Sequence, residues 1–123
     1  MSLDIKIIKK QDNVHLVELR GPIDSDTYQI LEDRLKEIVK EKAKAVVFDM
    51  KDVDYISSIG IRVLIDAKKT IEGQGTIFAM MALQPQIRKV FDIMKILPIF
   101  TIFDNHIAAD KYFGQAIFEG KRL

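Results

Sequence analysis

The chain has 123 residues, with 19 basic and 18 acidic side chains, a net charge of +1 and no cysteine. This length is typical of a single domain, residues 1–123, and the balanced charge gives no field that would attract nucleic acid. The composition excludes disulfides and thiolate metal sites, and no apolar run approaches the ~20 residues that a membrane-spanning helix needs. The first residues lack the features of a signal peptide, so we expect a cytoplasmic protein.

The first third of the chain has strand patterns followed by a helix pattern. Leu3–Ile7 and Val14–Leu19 lie on either side of a polar turn, and they predict an N-terminal β-hairpin that ends at Gly21-Pro22. We expect His15 to be a side chain of an edge strand. Apolar residues at helical spacing then predict a helix, and these are Tyr28, Leu31, Leu35, Ile38 and Val39. Its cap and dipole partners are predicted to be Asp24, Ser25 and Asp26.

The middle of the chain predicts a buried strand, a helix and a second strand. Ala45–Met50 is apolar except for Asp49, which is typical of a strand buried on both faces, and Asp49 is expected to mark its end. A helix is predicted from Ser57-Ser58 to the glycine-containing stretch at 73–75. Thr76–Ala82 is the next predicted strand.

The last third predicts a helix, a strand and a final helix. Pro85 opens a helix that Pro98 closes, and Ile99–Phe103 is the last predicted strand. In the helix that Pro85 opens, the side chains predicted to face the core are Ile87, Val90, Phe91 and Met94. Asp104-Asn105 caps the last helix, whose inward side chains are predicted to be Ala109, Tyr112, Phe113, Ala116 and Ile117, before a short charged tail.

The predicted order is therefore β-β-α-β-α-β-α-β-α. Strands that alternate with helices after a hairpin indicate an α/β fold, in which a mixed central β-sheet is largely parallel with one antiparallel edge and carries about four helices. In such sheets the functional crevice lies at the carboxyl ends of the strands. The turns at 21–25 and 49–58 both follow strands, so we expect them to converge on one site.

A Ser-Ser pair stands at the predicted start of the second helix. The first turn of a helix has unpaired N–H groups and the positive end of the helix dipole, so it can hold either a capping serine oxygen or a phosphate. Residue types alone therefore leave two interpretations open for Ser57 and Ser58. One is simple capping, and the other is a phosphorylation switch.

Two motifs in register carry a resemblance to a known family. Tyr55-Ile56-Ser57-Ser58-Ile59-Gly60-Ile61 resembles the phosphorylation motif of STAS-domain anti-sigma factor antagonists, and Arg20-Gly21-Pro22-Ile23-Asp24 resembles an upstream turn of that family. The order of elements agrees along almost the whole chain. Two positions depart from the family pattern: Ser57 stands where an aspartate is common, and Ile59 stands where a small side chain is common.

The resemblance implies a single STAS-like domain that binds an anti-sigma factor serine kinase and thereby releases a sigma factor. Phosphorylation by that kinase would end the interaction, and a serine phosphatase is a further expected partner. The phosphoacceptor falls on Ser58, with Ser57 as the alternative, and Asp24 is expected to lie near it. The residues expected to contact the partner are Asp24, Ser57, Ser58, Ile59, Gly60, Ile61 and Arg62.

The same residues are compatible with other functions. The fold also suits a ligand-sensing or scaffold module that is not phosphorylated, within a signalling or lipid-transport assembly. An enzyme is disfavoured because His15 and His106 have no nucleophile near them in sequence, and no cofactor motif is present. Asp49, Asp52 and Asp54 lack the spacing of a calcium loop, so we expect no metal.

Overall fold

Within residues 2–118, five strands form one sheet whose spatial order follows the chain, β1-β2-β3-β4-β5. A computed structural model of the chain describes residues 2–118. The strands are β1 (Asp4–Lys10), β2 (Val14–Arg20), β3 (Ala45–Asp52), β4 (Ile77–Met81) and β5 (Ile102–Phe103). β1 pairs with β2 in the antiparallel sense, and every later pair is parallel. The predicted mixed sheet and order of elements are confirmed, and the predicted charged tail lies outside the described residues.

In the described part of the chain, four α-helices cover the two faces of this sheet. They are α1 (Tyr28–Lys40), α2 (Ser58–Gly73), α3 (Pro85–Ile93) and α4 (His106–Phe113). The apolar faces of α1, α2 and α3 pack in one buried cluster with one face of the sheet, whereas α4 packs in a second cluster with the other face. Because three crossovers return on the same side, α1 and α2 lie next to each other and both begin at the carboxyl ends of the strands.

The central strand β3 is buried on both faces, as predicted. Val46, Phe48 and Met50 belong to the cluster beneath α1–α3, and Ala45 and Val47 belong to the cluster beneath α4. This alternation explains the nearly continuous apolar run, because both sets of side chains must be apolar.

Asp49 lies inside β3 and does not mark its end, because the strand continues to Asp52. Its side chain is buried on the α4 face of the sheet. The carboxylate accepts hydrogen bonds from the backbone N–H of Lys51 at 3.0 Å and from Lys51 Nζ at 2.9 Å. These bonds compensate for burial of the charge, so a charged residue is tolerated within the strand.

The structure differs from the prediction near the ends of α3 and α4. The helix α3 ends at Ile93 and Lys95 has a φ of 58°, so Met94 leaves the helical stripe and is 47% exposed. The last strand has only two residues because Leu97–Ile99 forms a 3₁₀ turn around Pro98. On α4, Tyr112 is 57% exposed, so the prediction that it faces the core is wrong.

The segment after α4 is held by a buried carboxylate. The helix stops before Gly114, which has a φ of 73°, so Ala116 and Ile117 lie beyond it. Asp110 accepts hydrogen bonds from the backbone N–H groups of Ile117 at 2.8 Å and Phe118 at 2.7 Å. Ile117 is therefore buried as predicted, although not as a helical residue, whereas Ala116 is exposed.

His15 is not an edge residue. Its strand β2 lies between β1 and β3, and the side chain is 3% exposed. Burial lowers the pKa of His15, and the nearby ammonium group of Lys9 lowers it further. Both effects favour the neutral form of the imidazole in the folded protein.

Candidate functional site

The turns after β2 and β3 are joined by backbone hydrogen bonds. Gly21 N–H donates to Asp52 O, and Ile23 N–H donates to Tyr55 O, each at 3.0 Å. In the opposite direction, Ser57 N–H donates to Ile23 O at 3.0 Å. The two turns therefore lie side by side at the carboxyl ends of the strands, which is where the sequence pattern placed a site.

Gly60 allows the first turn of α2 to rest directly on the first of these turns. A Cβ atom at this position would collide with the carbonyl oxygen of Ile23 and would lie 2.8 Å from Cγ1 of Ile56. The obstacle is a backbone atom that is itself hydrogen-bonded to Ser57, so it has little freedom to move. The glycine is therefore required by close approach and fixes where Ser57 and Ser58 lie relative to the turn.

The two serines occupy different positions at the helix start. Ser57 is the N-cap residue, with extended backbone, and its Oγ accepts a hydrogen bond from Gly60 N–H at 3.3 Å. Ser58 is the first residue of α2, is exposed, and makes no side-chain hydrogen bond with any of residues 2–118. One hydroxyl is thus engaged in capping, and the other faces solvent beside the positive end of the helix dipole.

Asp24 organises the turn that leads into α1. Its Oδ1 accepts hydrogen bonds from Asp26 N–H at 2.9 Å and Thr27 N–H at 3.1 Å. The N-cap is Thr27, but its buried hydroxyl donates to Pro22 O at 2.7 Å and accepts from Asp24 N–H at 3.0 Å. The prediction that Asp24, Ser25 and Asp26 cap α1 is therefore wrong: Thr27 is the N-cap residue, no acidic residue lies in the first turn, and the Asp24 carboxylate orders the turn before the helix.

The residues expected to contact a partner differ in exposure. Ser58 and Arg62 are exposed, while Asp24, Ser57 and Ile59 are partly buried. Gly60 and Ile61 are buried, and Ile61 is only 4% exposed. Gly60 has no side chain and Ile61 packs in the core, so Ser58 and Arg62 are the members of this set whose side chains are exposed.

Two glutamines at the start of α3 hold the loop between β3 and α2. Gln84 Nε2 donates to Lys51 O at 2.7 Å, and Gln86 Nε2 donates to Asp54 O at 3.3 Å. The sequence pattern treated this segment only as a helix start, and no local signal indicated that its amides reach another turn. Tyr55, which is 55% exposed on the same loop, was also missed as a surface residue.

Charged side chains surround the ends of β2 and β3. Lys51 Nζ lies 2.9 Å from Asp49 and 3.8 Å from both Glu18 and Asp52. The hydrogen bond that Lys51 donates to Asp49 is the main reason that the pKa of Lys51 is raised. Arg20 lies 3.8 Å from Asp52. Among residues 2–118, no group of three histidine or acidic side chains has the geometry to hold a metal ion.

The STAS domain family model matches residues 6–109, and the chain therefore belongs to the STAS domain family. It is 35% identical over 109 residues to "Putative anti-sigma factor antagonist BtrV" of Bordetella bronchiseptica, a match that covers 88% of this chain and 93% of that protein. It is 24% identical over 110 residues to an anti-sigma F factor antagonist of Paenibacillus polymyxa, covering 89% and 93%.

A solved structure gives the same fold. An anti-sigma factor antagonist from Mycobacterium paratuberculosis superposes with a TM-score of 0.80 at 23% identity, covering 89% of this chain and 92% of that one. Within the described part of the chain, no helix is long and apolar enough to cross a membrane.

Proposed function

We propose that this protein is an anti-sigma factor antagonist. In its unphosphorylated form it binds an anti-sigma factor serine kinase in the cytoplasm and so releases a sigma factor, and it acts as a binding switch rather than as an enzyme. Phosphorylation of Ser58 ends the interaction, and a serine phosphatase restores it. Support comes from the relatives named as anti-sigma factor antagonists, which are matched over 93% of their length.

The observation that carries the proposal is the difference between the two serines. Ser58 combines a solvent-exposed hydroxyl with the first turn of α2, whereas the hydroxyl of Ser57 is directed to Gly60 N–H. A phosphate on Ser58 would meet unpaired N–H groups and the positive end of the dipole, which stabilise it where it forms. The fold therefore has no need to rearrange.

The effect on the partner is electrostatic and steric. A phosphoserine carries about −1.5 to −2 charges near pH 7, and Asp24 and Asp54 already lie on the two turns beside α2. A partner that docks against a neutral hydroxyl would have to accommodate this charge out of water. We expect a loss of several kcal/mol in binding, or about 100-fold or more in affinity.

The test uses purified anti-sigma factor kinases from the same organism. With kinase and ATP, mass spectrometry should find one phosphate on Ser58, and Ser58→Ala should abolish it. Ser57→Ala is the matched control, because it removes the neighbouring hydroxyl and should leave phosphorylation in place. A phosphate on Ser57 in the wild-type protein would overturn the assignment.

Titration calorimetry then measures the switch. Unmodified protein and Ser58→Ala should bind the kinase with similar affinity, phosphorylated protein should bind weakly, and Ser58→Asp should be intermediate because it adds only one charge. Equal affinity of all four forms would refute the switch and favour the ligand-sensing or scaffold alternative. Widespread changes in amide exchange on phosphorylation would refute its local mechanism.

A further inference from the structure

A groove runs between α1 and α2, away from the carboxyl ends of the strands, where Ser58 lies. It has a volume of about 420 Å³, and its apolar walls are formed by Leu35 and Val39 of α1 and by Val63 of α2. Leu35 and Val63 are themselves packed in the core. The groove is therefore a depression between two packed helices. Val63 at its base is buried, and its exposed apolar surface comes from the partly buried Val39 and from the edge of Leu35.

Two carboxylates on this groove have no ionic partner. Glu32 of α1 and Asp66 of α2 line its edges, and neither makes a salt bridge or side-chain hydrogen bond within residues 2–118. Other acidic side chains of these helices do form salt bridges: Glu37 pairs with Arg34, and Glu72 pairs with Lys68. Lys36 also lines the groove, so the charged edge keeps a net negative charge.

The groove runs along α2, the helix that begins at Ser58. Ile59, Val63, Asp66 and Thr70 follow one another along α2 at spacings of four, three and four residues, which places them on one face of the helix. Ile59 is partly buried at the top of this face, next to Ser58. A partner that covers Ser58 needs to extend by only one or two turns of α2 to reach the groove.

We propose that the α1–α2 groove is a second part of the docking surface for the anti-sigma factor kinase, and that it receives an apolar side chain of the kinase flanked by a lysine or arginine. The inference rests on the proposed function. The exposed parts of Val39 and Leu35 fit the apolar side chain, and the two unpaired carboxylates complement the basic one. Because the groove lies away from Ser58, it contributes to affinity without itself being part of the phosphorylation switch.

Charge reversal tests this surface without disturbing the core. Glu32→Lys and Asp66→Lys should each weaken binding to the kinase on the order of tenfold, with a smaller effect at high salt. Asp33→Lys is the matched control. It changes the charge of α1 by the same amount, but Asp33 is exposed and does not line the groove. Lys36→Glu should bind at least as tightly as the wild type.

The absence of cysteine allows the groove to be probed directly. Thr70→Cys places a single thiol in the groove, and Lys111→Cys places one on α4, on the opposite side of the sheet. Saturating kinase should slow alkylation of the first thiol by about tenfold or more and leave the second unchanged. Equal protection of both thiols, or protection of neither, would overturn the proposal.

The outcomes separate this inference from the function on which it rests. If the wild type binds the kinase and loses binding on Ser58 phosphorylation, but Glu32→Lys and Asp66→Lys behave like Asp33→Lys, the groove inference fails and the function stands. If no kinase binds the wild type, both fail. If the Thr70→Cys thiol is protected without kinase and sedimentation shows a dimer, the groove holds a second copy of the chain and the proposal is wrong.

Discussion

The close approach of Gly60 to Ile23 allows a quantitative test of how the site is built. A Cβ atom in Gly60→Ala would collide with the Ile23 carbonyl oxygen, so α2 must move away from the turn. Such overpacking costs about 1–3 kcal/mol, and loss of the Ser57 N–H to Ile23 O hydrogen bond adds about 1 kcal/mol. Alanine regains up to about 1 kcal/mol through its higher helix propensity. We therefore expect a net loss of about 1–3 kcal/mol in the free energy of unfolding.

The matched control lies at the other end of the same helix. Gly73 has no atom within 4 Å of an added Cβ, so Gly73→Ala should stabilise the protein by about 0.5–1 kcal/mol. Urea unfolding followed by circular dichroism measures both variants, and the Gly60→Ala protein should also be phosphorylated more slowly because Ser58 is displaced. If the two variants agree within about 0.5 kcal/mol, the close approach does not constrain the helix and the reasoning fails.

Two further predictions follow from side chains beside the site and in the sheet. Asp24→Ala removes the acceptor of two backbone N–H groups and should lower the free energy of unfolding by about 1 kcal/mol. Asp24→Asn keeps an acceptor oxygen, so it should alter the rate of Ser58 phosphorylation with little change in melting temperature. An unchanged rate would leave Asp24 a purely structural role. Because burial lowers the pKa of His15, the unfolded chain takes up its proton first as the pH falls below about 6.5, so stability should decline from there toward the lower folded pKa. The urea midpoint of the wild type should fall between pH 7.5 and pH 5, and that of His15→Leu should fall less. An equal fall in the two proteins would contradict the lowered pKa of His15.

The sequence predicts the order of elements well because each element has a periodicity that matches its burial. The two-faced burial of β3 and the one-sided stripes of α1 and α2 leave direct patterns in the chain. The failures occur where tertiary context decides. His15 is assigned to the edge because nothing local reveals which strand pairs with β2, and Met94 continues the helical spacing although α3 ends one residue earlier.

The site is only partly predictable for the same reason. Functional turns meet at the carboxyl ends of parallel strands, and this rule predicts from the sequence alone that the two motif turns lie side by side. It does not distinguish the capping serine from the exposed one, because that depends on where α2 begins relative to Ile23. Nor does it reveal that Gln84 and Gln86 reach the loop between β3 and α2, since these contacts join segments about 30 residues apart in sequence.

The agreement between strand order and chain order also affects how the protein is assembled during synthesis. Each new strand pairs with the strand made just before it, so the sheet can grow in one direction as the chain leaves the ribosome, with little loop-closure entropy at each step. The turns beside Ser58 are formed by β2, β3 and the start of α2, and the start of α3 then adds the contacts of Gln84 and Gln86, whereas the short β5 and α4 come last. A nascent chain can therefore form the serine-bearing turn before its C-terminal elements have been translated.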